Sequence, residues 1–329
     1  LLNKKYKGKY HSVVNAFSVR YVDVRIGGRV YDYFLVFFVN LKSYDVIFSP
    51  NYITPLFTGR TNVRLVTVIH DLQYLHFPEN FALVKKVFLF ISHLYTLLKA
   101  DSVLTISDFV LDDIRMKFKG IGRKKLQRIY NAVDVSKYNE STKPKDTGRY
   151  ILSVCAMYPH KNLITLLKAY KLFKQRINDT VSLILVGQLP INLAGGDFQK
   201  YGLSLEQEIE STEGIKFTGF ITDKDLGGYY KNCSVFVTAS LFEGFGMTPI
   251  EALLLDKYVV STKCGSLLEV TGGYATYVDN PYDEVELSNK IYDTYQLSMD
   301  SDNLVDEDFK EKFKTTVVSS QYISVFCYE

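Results

Sequence analysis

The chain has few cysteines, and the four present, Cys155, Cys233, Cys264 and Cys327, show no C-x-x-C spacing. No disulfide framework or thiolate metal ribbon can be read from them. Three sit in or beside apolar, strand-like runs, which predicts small buried thiols and a reduced, cytosolic setting. Nowhere do 18 uncharged apolar residues run together, so no spanning helix is expected. The opening, Leu1-Leu2-Asn3-Lys4-Lys5, has no Met and is followed by no apolar core of signal-peptide length. That reads as the continuation of a longer protein. A net charge of +3, with no Lys/Arg run interleaved with stacking aromatics, gives no argument for nucleic acid. No G-x-G-x-x-G follows a strand, which disfavours a dinucleotide-dependent dehydrogenase. Internal repeats, coiled coils and low-complexity tracts are absent too.

What is there is a chain of 329 residues, 47% apolar and 23% charged, long enough for two domains of ordinary size. Strand-like and helix-like segments alternate, which argues for α/β layers with parallel sheets. Strands are expected at 45–48, 65–69, 102–106 and 127–130, then at 150–154, 182–186, 215–218, 234–238, 258–261 and 276–278. The polar stretch 137–149, holding Pro144 and Gly148, is the expected boundary. It divides residues 1–145 from 146–310, with a C-terminal helix over 311–329 returning to the first domain. The front of the first domain looks short. Lys4, Lys5, Lys7 and Lys9 stand where an opening apolar strand belongs, and Gly27-Gly28 has no clean strand before it. Roughly one β-α unit, about 30–40 residues, is expected to be missing there.

Segment 84–98 places Val84, Val87, Phe88, Ile91, Tyr95 and Leu98 on one helical face. The plain reading is a core-facing helix. The alternative is an interfacial helix, with Lys85, Lys86 and Lys99 near anionic headgroups and peripheral contact with a membrane.

The most informative stretch is Glu243-Gly244-Phe245-Gly246-Met247-Thr248-Pro249-Ile250-Glu251. A buried strand precedes it and an apolar helix follows. Two carboxylates are thus set across a glycine-bracketed turn at a strand's carboxyl end, where open α/β sheets bind ligands. Pro249 suits a first helical turn, whose free N–H groups and positive dipole end suit a diphosphate.

These residues resemble the E-x7-E signature of retaining glycosyltransferases of family 4. The resemblance implies the GT-B fold, two Rossmann-like domains with parallel sheets facing across a cleft. It also implies that Glu243 and the backbone of Gly244, Phe245 and Gly246 face the transferred sugar. Met247 and Thr248 would open the diphosphate-binding helix, and Glu251 would take the ribose hydroxyls. Further segments match in order. Val66-Thr67-Val68-Ile69-His70-Asp71 is similar to the family's strand ending in a His near the donor sugar, making His70 a catalytic-site residue and Asp71 a structural partner that fixes the loop or the His tautomer. Ile106-Ser107-Asp108 and Asn131-Ala132-Val133-Asp134 resemble elements near the cleft, which makes Ser107 and Asn131 acceptor or cleft candidates. The loop Cys155-Ala156-Met157-Tyr158-Pro159-His160-Lys161-Asn162 resembles the family's diphosphate loop. Lys161 keeps its place, while Cys155 and Ala156 stand where the family has Gly and Arg, so charge neutralisation leans on Lys161, the helix start and a nearby cation such as Lys263. Gly219, Phe220 and Ile221 resemble a loop that lies against the nucleotide base. Glu269, in Gly265-Ser266-Leu267-Leu268-Glu269, is expected to brace its loop, and Asp112-Asp113 to be solvated surface.

The resemblance implies a hexosyltransferase that needs no cofactor and no metal, working at the cytoplasmic side of a membrane. The details resemble bacterial surface-polysaccharide members, which favours GDP-mannose as donor and a glycan or lipid-linked glycan as acceptor. Rival readings are a GT-B epimerase or phosphorylase, and a non-catalytic sugar-nucleotide-binding protein, to which Ala156 lends weight.

Overall fold

The computed structural model describes residues 2, 3, 21, 22, 44–52, 54, 63–121, 126–144, 148–156, 158–187, 196–300 and 305–327. The expectations for the front segment and for Gly27-Gly28 lie outside the described residues, apart from a short parallel ladder pairing β1 (Leu2–Asn3) with β2 (Tyr21–Val22).

Two parallel sheets carry the fold. The first orders β3 (Val46–Ser49), β4 (Arg64–Ile69), β5 (Ser102–Thr105) and β6 (Leu126–Arg128) side by side. The second contains β7 (Arg149–Val154), β8 (Val181–Val186), β9 (Ile215–Gly219), β10 (Val235–Thr238), β11 (Tyr258–Thr262) and β12 (Thr276–Val278), in the spatial order β12-β11-β10-β7-β8-β9. All ten expected strands form, because a parallel strand covered on both faces reads as an unbroken apolar run; every residue of β8 and β10 is buried. The chain winds outward from β7 in one direction, then returns to add β10 on β7's other side, where Val235 and Phe236 pair with Ile151 and Leu152. That reversal is a topological switch point, and the loops leaving β7 and β10 flank its crevice.

Connecting helices in the first half are α1 (Gln73–His76), α2 (Leu83–Lys99) and α3 (Asp108–Lys117). In the second half they are α4 (Leu163–Lys174), α5 (Gly196–Glu210), α6 (Asp223–Asn232), α7 (Met247–Leu254), α8 (Leu267–Thr271) and α9 (Glu284–Asp300). Then α10 (Glu307–Lys312) and α11 (Thr315–Cys327) close the chain. Helix α11 packs back on the first sheet: Phe48 meets the rings of Tyr322 and Phe326 at 5.5 and 5.2 Å, and the Phe313 carbonyl accepts from the Val133 amide at 2.9 Å. One apolar core runs from the first sheet through Phe245, Phe309 and Phe313 to the cleft-facing side of the second sheet, and another fills the far side under α4 and α9.

Helix α2 departs from the plain expectation. The stripe predicted to face the core, Val84, Val87, Ile91 and Leu98, faces solvent, while Leu89, Ser92, His93, Thr96 and Leu97 are buried. The buried face mixes Ser92, His93 and Thr96 with its leucines, so the more continuous apolar stripe that periodicity finds is not the one the core covers. Asp113 also departs. It is not surface but buried, and its carboxylate accepts from His76 Nε2 at 2.7 Å.

His93 makes a pH prediction. Its ring stacks on Tyr74 at 5.4 Å and its Nε2 has no hydrogen-bond partner. Burial lowers its pKa from 6.5 to about 4, against a weaker opposing contribution from the Leu89 backbone. Between those values the unfolded chain binds a proton that the folded protein does not, so stability rises with pH there. Acidification from neutral to about pH 5 should cost about 2 kcal/mol at this site. In a pH series of thermal melts, His93→Phe should flatten the acid limb between pH 6.5 and about 4.5; an acid limb as steep as wild type would show the loss arises elsewhere.

Candidate active site

The crevice at the switch point is built from two loops of the second domain and one of the first. After β7, Pro159–Lys161 forms a short 3-10 turn whose end is set by Asn162 in the left-handed region, φ 55°. After β10, the chain reaches Glu243 and turns through Gly244 to Gly246, which adopts φ 90° at the N-terminus of α7. The two loops meet in an ion pair: Lys161 Nζ donates to Glu243 Oε1 at 2.6 Å, with both side chains mostly shielded from water. Ser240 Oγ donates to the same oxygen at 2.8 Å. From behind, the Ser266 amide donates to the Glu243 carbonyl at 3.0 Å. Gly265 presses so close that a Cβ there would sit 2.4 Å from that carbonyl oxygen.

The first domain contributes the loop after β4. His70 Nε2 lies 2.6 Å from the Pro50 carbonyl, which only accepts, so Nε2 carries the proton. That contact leaves Nδ1 as the ring nitrogen not engaged with Pro50. Asp71 fixes the loop, accepting from the Gln73 amide at 2.9 Å, while the tautomer of His70 is set by Pro50. Burial pushes the Asp71 carboxyl above its ordinary range; the Gln73 hydrogen bond and His70 oppose this, Glu243 adds to it, and Lys161 opposes it again. Lys161 also helps burial hold His160 neutral, with its pKa lowered to about 3. Lys161 and Glu243 are therefore brought together, and the His70 backbone lies against the same turn at Gly244.

The glycine turn is in contact with the first domain. A Cβ on Gly244 would lie 2.4 Å from the His70 carbonyl oxygen, and Ser107 Oγ donates to the Gly244 carbonyl at 2.7 Å. Ser107 is fully buried and also caps α3, accepting from the Val110 amide at 3.2 Å. Its observed contacts are interdomain and structural. Phe245 packs between Tyr130 and Phe313 at 5.9 and 6.0 Å. Met247 is exposed and Thr248 half-buried on the first turn of α7, whose leading N–H groups have no intrahelical acceptor. Asn131 is half-buried in the stretch after β6, and Asp134 beside it accepts from the Ser136 amide at 2.9 Å to fix a turn.

At the other end of the motif, Glu251 is 5% exposed and already engaged. Lys137 Nζ and Tyr138 Oη donate to Oε1 at 2.8 and 3.1 Å, and Tyr230 Oη donates to Oε2 at 2.9 Å. Burial first, and the Glu251 charge second, hold both tyrosines well above their ordinary pKa, so they remain neutral donors. A carboxylate has about four acceptor positions. One acceptor position on Oε2 thus remains open, and Lys137 is the most exposed of the three partners. Gly219, φ 70°, ends β9, Phe220 is exposed, and Ile221 packs against the core. Lys263 pairs with Asp279.

Three features of the site were not read from the sequence. Lys137, Tyr138 and Tyr230 enclose Glu251. Phe242 inserts from the second domain among His76, Phe77 and Phe109, at 4.9, 6.1 and 5.6 Å. Glu269 does more than brace its loop: its two oxygens accept from the amides of Asp108 and Phe109 at 2.7 and 2.9 Å, capping α3 of the other domain. Among the described residues no cluster of three or more His, Cys, Asp or Glu is placed to hold a metal.

Two parallel-sheet α/β domains, with a glycine-lined crevice at the switch point of the second, define the two-domain glycosyltransferase architecture. Sucrose-phosphate synthase from Thermosynechococcus elongatus superposes with a TM-score of 0.68 at 17% identity, over 86% of this chain and 73% of that one. HepE from Anabaena in complex with UDP and glucose gives 0.63 at 22% identity, over 80% and 71%. The model of the group 1 glycosyl transferases matches residues 134–308, and the chain belongs to that family. The model of glycosyltransferase family 4 matches residues 7–137. The chain is 27% identical to the O-antigen chain mannosyltransferase RfbU of Salmonella typhimurium over 274 residues, 82% of this chain and 70% of that protein. It is 29% identical to the serotype-specific mannosyltransferase WbdA of Escherichia coli over 191 residues, 56% of this chain and 22% of that protein.

The Glu251 enclosure predicts a stability phenotype. Glu251→Ala leaves two buried tyrosine hydroxyls without an acceptor and should cost about 3 kcal/mol in denaturant unfolding. Glu251→Gln, which keeps the shape and one acceptor oxygen, should cost less than half of that. Equal losses in the two variants would mean the carboxylate's hydrogen bonds are not what matters.

Proposed function

We propose that this protein is a retaining hexosyltransferase moving mannose from GDP-mannose to a glycan or lipid-linked glycan acceptor in surface-polysaccharide synthesis, at the cytoplasmic face of a membrane. The observation that supports the reading is the Lys161–Glu243 pair at the switch-point crevice, set against the His70 loop and beside the N-terminus of α7. The mannosyltransferase relatives support the choice of sugar.

The donor diphosphate lies on Lys161 Nζ and the first amides of α7, where full and partial positive charges coincide. Its arrival offers Lys161 a stronger partner than Glu243. Once Lys161 shifts to the phosphate, the Glu243 carboxylate is released to accept from the sugar's hydroxyls, with His70 Nδ1 taking another. The nucleotide base lies along Gly219, Phe220 and Ile221, and the ribose reaches Glu251. An acceptor hydroxyl then attacks the face from which the nucleotide departs, and the leaving phosphate oxygen takes its proton. The protein supplies position and charge stabilisation, and no metal or covalent nucleophile is needed.

A panel of GDP-, UDP- and dTDP-sugars tests this by binding, by slow hydrolysis, and by the anomeric configuration of the released product in the presence of EDTA. GDP-mannose should be turned over with retention. Lys161→Ala should lower kcat/KM by about 100-fold or more, equivalent to about 3 kcal/mol of transition-state stabilisation, with little change in Tm. Full turnover in Lys161→Ala would remove the lysine from the site, and binding without turnover of any donor would favour the non-catalytic reading instead.

A further inference from the structure

Helix α2 turns a mixed face inward and an apolar one outward. Leu89, His93, Thr96 and Leu97 pack inward. Val84, Val87, Ile91 and Leu98, spaced three, four and seven residues apart, fall about 180° away at 100° per residue. They are 82%, 50%, 58% and 56% exposed. An amphipathic helix ordinarily turns its apolar stripe to the core, and this one turns its stripe to solvent. An exposed contiguous row of this kind marks a contact surface.

The charge around the row narrows the partner. Leu83–Lys99 contains Lys85, Lys86 and Lys99 and no carboxylate. The patch continues onto the end of α3, where Phe90 stacks on Phe118 at 5.5 Å. Beside that contact Met116, Lys117 and Lys119 are exposed, and the acid there, Asp112, is paired with Arg115 at 3.1 Å. A second copy docked by two-fold symmetry would set this lysine rim against itself, at a repulsive cost. An anionic lipid surface offers both the apolar interior and the counter-charge. Among the described residues no helix is long and apolar enough to cross a bilayer.

From these features we infer that the outer face of α2, with Met116, Lys117 and Lys119, is a docking surface for an anionic lipid bilayer, with the helix lying in the interface and its lysines at the headgroups. Helix α2 starts at the carboxyl edge of the first sheet, shortly after His70, with Val84 near that start. Docking therefore holds the mouth of the cleft at the membrane, where a lipid-linked acceptor presents its sugar. The choice of acceptor rests on the proposed transfer reaction; the docking itself does not.

Co-sedimentation of the full chain with vesicles of phosphatidylcholine, alone or with added phosphatidylglycerol, tests the inference. Wild type should bind the anionic vesicles, more weakly as salt is raised. Val84→Ser combined with Ile91→Ser should weaken binding about tenfold or more, and Lys85→Gln combined with Lys86→Gln should reduce the preference for anionic over neutral vesicles, an unchanged preference counting against the surface. Donor hydrolysis in solution and the far-UV circular dichroism of both variants should match wild type. No vesicle binding by wild type, or undiminished binding by the serine variant, overturns the docking surface. A wild-type dimer that the serine variant dissociates also overturns it, assigning the face to a second copy. Vesicle binding with no hydrolysis of any donor would leave docking standing and sink the proposed transfer reaction, so the two fail separately.

Discussion

The structure depends on the contact between the Gly244 backbone and the His70 carbonyl. Two domains with separate sheets could pack in many ways, but here a turn of the second presses on a loop of the first so closely that no side chain fits between them. The contact is locked from three sides. Ser107 donates to Gly244, Glu269 caps α3, and Phe242 fills an aromatic box made of first-domain residues. The same turn carries Glu243 at one end and opens α7 at the other. Domain contact and ligand-binding geometry are thus one piece of backbone, and glycine is required by contact at Gly244 and by its φ of 90° at Gly246.

Charge in the crevice is arranged around a single lysine. Lys161 neutralises Glu243 at rest, opposes the burial that raises Asp71, and adds to the burial that lowers the pKa of His160. Holding a mostly shielded cation against one carboxylate leaves it free to exchange that partner for a diphosphate without being moved from water into the site. With Ala156 at the position where the family has an arginine, no second cation shares that task in the loop after β7, and Lys263 is drawn off to Asp279. On the proposed transfer reaction, charge stabilisation then rests on Lys161 and the α7 dipole together.

Much of this was legible in the sequence, for physical reasons. Fully buried parallel strands such as Val181–Val186 announce themselves as unbroken apolar runs. Gly244 and Gly246 between two glutamates mark a turn that must approach something closely. What periodicity could not settle was which side of α2 meets the core, because Val84, Ile91, Leu89 and Leu97 are equally apolar and only tertiary packing chooses between them. The enclosure of Glu251 was out of reach because Lys137 and Tyr138 lie more than a hundred residues away in the chain. Asp113 read as surface since its partner, His76, sits on another helix. Glu269 read as a local brace because nothing in its own loop shows that α3 of the other domain ends against it.

On the proposed reaction one crevice, held by Lys161, Glu243 and the start of α7, receives the donor diphosphate. A crystal structure with GDP bound decides it. Phosphate oxygens are expected on Lys161 Nζ and on the first amides of α7, with the 2.6 Å pair between Lys161 and Glu243 opened. A nucleotide bound elsewhere, with that pair intact, would contradict it.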